Sequence, residues 1–176
     1  GDIDMLTMVK QYIKEKYNKP GNVYLGLVHR LDRPVGGIMI FAKTSKAASR
    51  LSDQVREKVF KKKYLAVVDG KIENKSGTLE DYLYKDERNN ISKVVNKGKK
   101  NAKFAKLDYD VIKYDEVKNL SLVKVNLHTG RHHQIRVQLS NFGHSIFGDQ
   151  KYGTRGQGKQ IALWAYELTI NHPITK

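Results

Sequence analysis

In Leu127-His128-Thr129-Gly130-Arg131-His132-His133-Gln134-Ile135-Arg136-Val137 the hydrophobic period of the chain changes. Upstream, Val123, Val125 and Leu127 alternate with polar neighbours, as in a strand covered on one face. Downstream, Ile135, Leu139 and Phe142 mark one face of a short helix, with Gly143 as its C-terminal stop. The junction is dense in arginine, histidine and glutamine. A helix start also exposes backbone N–H groups, so this point can hold a phosphate or a carboxylate.

Working outward toward the N-terminus, Leu107, Tyr109 and Val111 alternate in the same way, with Asp115 to Asn119 as the intervening turn, which predicts an antiparallel pair. From Lys85 to Asn101 the chain is polar and carries Lys85, Arg88, Lys93, Lys97, Lys99 and Lys100, a pattern expected of a mobile basic loop or irregular hairpin. Tyr64 to Val68 reads as a central strand closing at the turn Asp69-Gly70. Thr44 or Ser45 can cap a helix whose buried stripe is Ala48, Leu51, Val55 and Val59, and whose last turn runs into Lys61-Lys62-Lys63. Pro34 and Gly36-Gly37 mark a turn feeding a buried strand, Ile38 to Ala42. Leu6, Val9, Ile13 and Tyr17 predict an amphipathic helix that packs on the core and stops at Asn18-Lys19-Pro20-Gly21. On the C-terminal side, Gly153, Gly156 and Gly158 loosen a loop before apolar patterning resumes from Ile161 to Ile170. Repeats, linkers and low-complexity tracts are not evident, which points to one mixed α+β domain over residues 1–176.

At 176 residues such a domain buries roughly 70% of the surface its unfolded chain exposes. Without cysteine, the chain offers no disulfide framework, thiolate metal site or thiol nucleophile. It has no apolar run of membrane-span length and no basic-then-apolar secretory layout at its start, so a soluble, cytoplasmic protein is expected. The 33 Lys plus Arg against 18 Asp plus Glu give a formal charge of +15, which attracts polyanions and makes nucleic acid the leading partner. Solvated surface lysines are the plainer explanation, and position has to decide between the two.

Val28-His29-Arg30-Leu31-Asp32-Arg33-Pro34-Val35-Gly36-Gly37 sets a carboxylate between two arginines in a turn-prone loop. By itself it reads first as a turn aspartate with surface ion pairs. Tyr64 follows directly on a basic run and offers a stacking face and a polar hydroxyl, or an ordinary half-buried strand aromatic. The histidines, with His144 and Asp149, invite a zinc reading, but adjacent residues on a helix point about 100° apart, so His132 and His133 are not expected to share a metal. Histidine and arginine together also suit a ribonuclease working by general acid–base chemistry. The absence of a Walker-type loop or kinase motif set argues against nucleotide-driven phosphoryl transfer.

Taken in order, His29-Arg30-Leu31-Asp32, Lys62-Lys63-Tyr64 and Thr129-Gly130-Arg131-His132-His133-Gln134-Ile135-Arg136 resemble the H-R-L-D, K-x-Y and T-G-R-x-H-Q-I-R segments of the RluA-like family of RNA pseudouridine synthases. Gly143-His144-Ser145-Ile146-Phe147-Gly148-Asp149 is similar to that family's G-H-P-I-x-G-D, and the likeness runs on to Asn171-His172-Pro173-Ile174-Thr175. The resemblance implies the pseudouridine synthase catalytic-domain fold, an α+β architecture with a mixed, largely antiparallel sheet flanked by helices. It implies an isomerase acting on uridine in ribosomal or transfer RNA, needing no cofactor, nucleotide or metal. Membranes are not an expected partner, and the chain is expected to act as a monomer.

By the same resemblance, Asp32 is the catalytic carboxylate, acting at the ribose C1′ or assisting deprotonation at C2′. Arg136 pairs with that aspartate, and Tyr64 stacks on the target base and can serve late in removing the C5 proton. Arg30 fills the space the flipped base vacates, and His133 and Gln134 support the Asp32 and Arg136 pair. His29, Arg131 and Leu163 complete the expected substrate-binding set. A non-catalytic RNA-binding or ribosome-assembly module of the same fold is the alternative. The chain departs from the family pattern at Val35-Gly36, where Thr-Ser is usual, and at Trp164, where a histidine is common. It also starts without the strand and K-P-x-G turn expected before this region and stops where a final strand is expected, as if trimmed at both ends.

Overall fold

The computed structural model describes residues 3–154 and 159–175. In chain order the elements are α1 (Met5–Lys16), β1 (Gly26–Leu27), β2 (Gly36–Gly37), β3 (Phe41–Ala42), α2 (Ser45–Arg56), β4 (Lys61–Asp69), β5 (Ser76–Asp86), β6 (Ile91–Val95), β7 (Lys103–Asp115), β8 (Leu120–Leu127), α3 (Gln134–Asn141) and β9 (Leu163–Thr169). They fall into two compact units, one of residues 1–30, 39–60 and 170–176, the other of residues 31–38 and 61–169.

The larger unit is a seven-stranded sheet in the order β2-β9-β4-β8-β7-β5-β6, antiparallel at every pairing except the short parallel pairing of β2 with β9. This is the mixed, largely antiparallel α+β architecture expected. The predicted pair of alternating strands forms in register, with Tyr109 opposite Val125 and Val111 opposite Val123, because both strands turn the same residues to one face. That face is covered by α3. Its Ile135 and Leu139 enter a buried cluster with Tyr64, Val68, Leu107, Val123 and Val125. Val137 joins Leu83 and Ala105 in a second one. The helix is buried along most of its length, and Gly143, at φ 91°, follows its end where a left-handed residue is needed.

In the smaller unit, Thr44 caps α2 by accepting the Ala47 N–H, as expected of that position. The helix packs on the β1–β3 pair so closely that a Cβ on Gly26 would lie 2.8 Å from that of Ala48. Gln54 and Arg50 hold the last residues through bonds with Asn171 and Pro173.

Several expectations are corrected. Ile38 to Ala42 is not one buried strand: β2 pairs in the large sheet and β3 in the small one, and Ile38 between them is exposed. Gly36-Gly37, read as a turn, is β2 itself, because only glycine lets the backbone approach β9 this closely. A Cβ on Gly37, at φ 131°, would meet the Ala165 carbonyl at 2.2 Å. The second helix ends at Arg56, so Val55 is exposed, Val59 lies beyond the helix, and Lys61-Lys62-Lys63 opens β4. No residue of α1 is fully buried; Leu6, Val9 and Ile13 are half-covered. The polar stretch from Lys85 is the tip and return strand of a hairpin whose first strand, β5, the pattern did not reveal. The loop glycines Gly156 and Gly158 lie outside the described residues.

Candidate active site

Asp32 sits in a turn closed by the Val35 N–H donating to its carbonyl at 2.8 Å, with Gln160 donating to the Pro34 carbonyl. Directly after the turn, β2 docks on β9, and the Ile38 N–H donates to Ala165 at 2.8 Å. Ala165 is also the partner of Tyr64 on β4. The order β2-β9-β4 therefore brings the carboxylate loop and the tyrosine strand together, though the two residues are far apart in sequence. At Tyr64 the pairing of β4 with β9 shifts by one residue, a bulge of the kind that re-aims side chains beside functional sites.

From the helix side comes Arg136, in the first turn of α3 and only 4% exposed. Its Nε and Nη2 donate to Asp149 Oδ2 and Oδ1 at 2.8 and 2.7 Å, a bidentate pair, while Nη1 donates to Asp32 Oδ2 at 3.4 Å. Asp149 in turn accepts the backbone N–H groups of Lys151 and Tyr152. Burial works against the charge on both partners, but their mutual bonds prevail: Arg136 is held above its ordinary pKa and Asp149 below its own. The guanidinium is thus fixed from one side by a buried carboxylate and presents its remaining edge to Asp32, whose side chain is 28% exposed.

His133, in the left-handed region at φ 52°, precedes α3 and places Nε2 3.9 Å from Asp32 Oδ2. Burial, assisted by Arg136 and His132 and opposed by Asp32, lowers its pKa to about 4, so the ring is neutral at physiological pH. The rings of His132 and His133 do not diverge as neighbours on a helix would. They lie on the turn before α3 and stack with centroids 3.7 Å apart. Tyr64 is almost fully buried, and burial together with the charge of Asp32 pushes its hydroxyl up to about 12.

Asp32, Arg136, His133 and Tyr64 are therefore gathered at one place, and the other candidates make contacts of their own. Gln134 commits its amide to the preceding loop and helix, accepting from Thr129 and the Arg131 N–H and donating to the Lys106 carbonyl and Gln138. Arg131 donates from Nε to the Phe104 carbonyl. Leu163 is packed in the cluster that holds Tyr64. His29 and Arg30 belong to the smaller unit, where His29 Nε2 accepts the Ile40 N–H at 3.1 Å.

The sequence raised Asp149 only in the zinc reading that was set aside, and did not single out Tyr152 or Lys62 as site residues. Asp149 had a signal, a carboxylate after glycine within the Gly148-Asp149 motif, but nothing in the chain order says that it, at 2.7 Å, approaches Arg136 more closely than Asp32 does. Lys62 is half-buried, and desolvation lowers its pKa; a Cβ on Gly130 would lie 3.5 Å from its Nζ. The two departures from the family pattern meet in space. A Cβ on Gly36 would come within 2.2 Å of the Trp164 ring, so the indole on β9 occupies the space a side chain on β2 would take.

The site thus gathers a carboxylate held by a fixed guanidinium, a neutral imidazole and a protonated phenol. Residues 5–141 match the family model described as RNA pseudouridylate synthase. The chain is 33% identical over 167 residues to a tRNA pseudouridine synthase C of Haemophilus influenzae, covering 85% of this chain and 69% of that protein. It is 34% identical over 166 residues to the ribosomal large subunit pseudouridine synthase C of the same organism, covering 88% and 50%. Among solved structures it is similar to human RNA pseudouridylate synthase domain containing 1, with a TM-score of 0.78 at 26% identity, covering 93% of this chain and 68% of that one. The chain spans about half the length of several curated relatives it matches.

Proposed function

The chain belongs to the RNA pseudouridylate synthase family, and from that premise we propose that it isomerises particular uridines of ribosomal or transfer RNA to pseudouridine. The observation that carries this reading is the Asp32 carboxylate beside the Arg136 guanidinium, in the same site as the Tyr64 ring. The C1′–N1 bond breaks with the help of Asp32, at C1′ or through C2′. The uracil turns in the pocket, C5 joins C1′, and the proton lost from C5 is balanced by the one gained at N1. Substrate and product are isomers, so the balance closes without a cofactor. The Tyr64 phenol, pushed up to about 12, keeps its proton at neutral pH, which favours stacking on the base over proton removal.

The target must leave its stack, and contacts to flanking nucleotides offset that cost. A groove of about 530 Å³ beside His132, lined by Tyr84, Lys85, Lys103 and Arg131, suits the phosphates and bases of such a flanking strand. Arg30 and His29 complete the proposed substrate contacts. Among the described residues no helix is long and apolar enough to cross a membrane, and the proposal has the protein acting as a monomer on RNA in the cytoplasm.

The test is to incubate RNA with the protein and with Asp32→Asn and to map pseudouridine. The parent is expected to introduce it and the variant to lose at least about a thousandfold in rate, the loss of an essential reacting group. Undiminished modification by Asp32→Asn would overturn the mechanism. RNA binding by the parent without any modified uridine would favour a non-catalytic module.

A further inference from the structure

Behind His133 lies a residue that neither the motifs nor the proposed chemistry uses. The Tyr152 hydroxyl accepts the Ser92 backbone N–H at 2.7 Å and lies 2.8 Å from His133 Nδ1. A phenol carries one proton and accepts well through one lone pair. With the Ser92 N–H directed at its oxygen, the Tyr152 proton is left for Nδ1. Accepting a hydrogen bond from that proton makes Nδ1 the unprotonated nitrogen of the ring and leaves the single proton of neutral imidazole on Nε2. That nitrogen is the one facing Asp32, at 3.9 Å from Oδ2. Electrostatics selects the same tautomer, because a bare Nε2 would set a lone pair against the carboxylate.

We propose that Tyr152 is a positioning residue that holds His133 as its Nε2–H tautomer and so aims an N–H at Asp32 beside the Arg136 guanidinium. Its catalytic consequence rests on the role assigned to Asp32 above. Several features make the arrangement rigid. The His132 ring stacks on His133 and is itself tied by Nδ1 and its carbonyl to the Ser92 hydroxyl, at 2.9 and 2.8 Å. The Arg136 guanidinium carbon lies 5.2 Å from the centre of the Tyr152 ring, so one aromatic side chain touches both groups that face Asp32. Burial, the largest influence, raises the Tyr152 pKa and keeps the donated proton in place, while His133 stays neutral well below physiological pH.

Nitrogen-15 NMR of the ring nitrogens reads the tautomer directly. The parent protein is expected to show His133 with a protonated Nε2 and a bare Nδ1. Tyr152→Phe keeps the ring on Arg136 and removes the hydroxyl; it is expected to give a mixture of tautomers and to lower kcat on RNA roughly tenfold with KM little changed. Ser92→Ala keeps the backbone N–H that orients the phenol and is expected to keep the Nε2–H tautomer. A parent with protonated Nδ1 overturns the proposal without any variant. So does a Tyr152→Phe protein whose tautomer and kcat match the parent's. Failure of the Asp32 reading would appear separately, as modification that survives Asp32→Asn.

Discussion

Around position 136 a single residue organises the site, because its guanidinium has two carboxylates to satisfy and they are not equivalent. Asp149 takes the bidentate edge and is buried with it; Asp32 takes the longer bond and stays partly open. Such a division suits a reacting carboxylate, which has to be oriented yet remain accessible. The neighbouring His133 has a consequence for stability. Its pKa of about 4 in the folded state lies below the ordinary 6.5, so as pH falls through that window the unfolded chain takes up a proton the folded chain refuses. Folding stability is therefore expected to fall from pH 6.5 to 4, with this residue adding up to about 1.4 kcal/mol per pH unit to the slope. Urea melts across that range should show a shallower slope for His133→Gln, and identical slopes would contradict the assignment.

At the level of elements, the site depends on a two-residue strand. By docking parallel to β9, β2 sets the Asp32 turn next to the strand pairing with Tyr64, and glycine at both positions permits the close approach. Trp164 is 57% exposed yet covers Gly36, so the two positions should behave as a pair. Gly36→Ser is expected to cost about 1–3 kcal/mol by overpacking against the indole. In a Trp164→His background the same change should cost much less, and a double-mutant cycle in urea would measure the coupling. Additive effects would show that the ring moves aside freely.

Over the whole molecule the charge of +15 is the dominant long-range feature, and its consequence is measurable as salt dependence. Lys85 and Lys103 line the groove beside His132, and Lys99 stands 5.5 Å over the ring of Tyr84. If single-stranded flanks of the substrate run there, Lys85→Gln with Lys103→Gln should make the plot of log binding constant against log salt shallower by about 1.4, about 0.7 for each phosphate left without its lysine. An unchanged slope would move the RNA path to another face.

Composition and period by themselves determined the α+β class, the β7–β8 pair and the α3 helix, since alternation and helical spacing report which face each residue must bury; that Asp32, Tyr64 and Arg136 belong together was implied only by the resemblance of their motifs to those of a known family. Composition and period left β5 unseen, because a strand of mixed polar residues such as Thr78, Glu80 and Lys85 carries little period. The resemblance placed Gln134 in support of the Asp32 and Arg136 pair, whereas its amide closes the loop before α3. What only the tertiary structure decided was which carboxylate holds Arg136, that Trp164 lies over Gly36, and that Tyr152 and Ser92 stand behind His133. The physical reason is the same in each case: these groups meet across strand order and between loops distant in the chain, and a sequence encodes what each residue can bond but not which partner folding brings within about 3 Å.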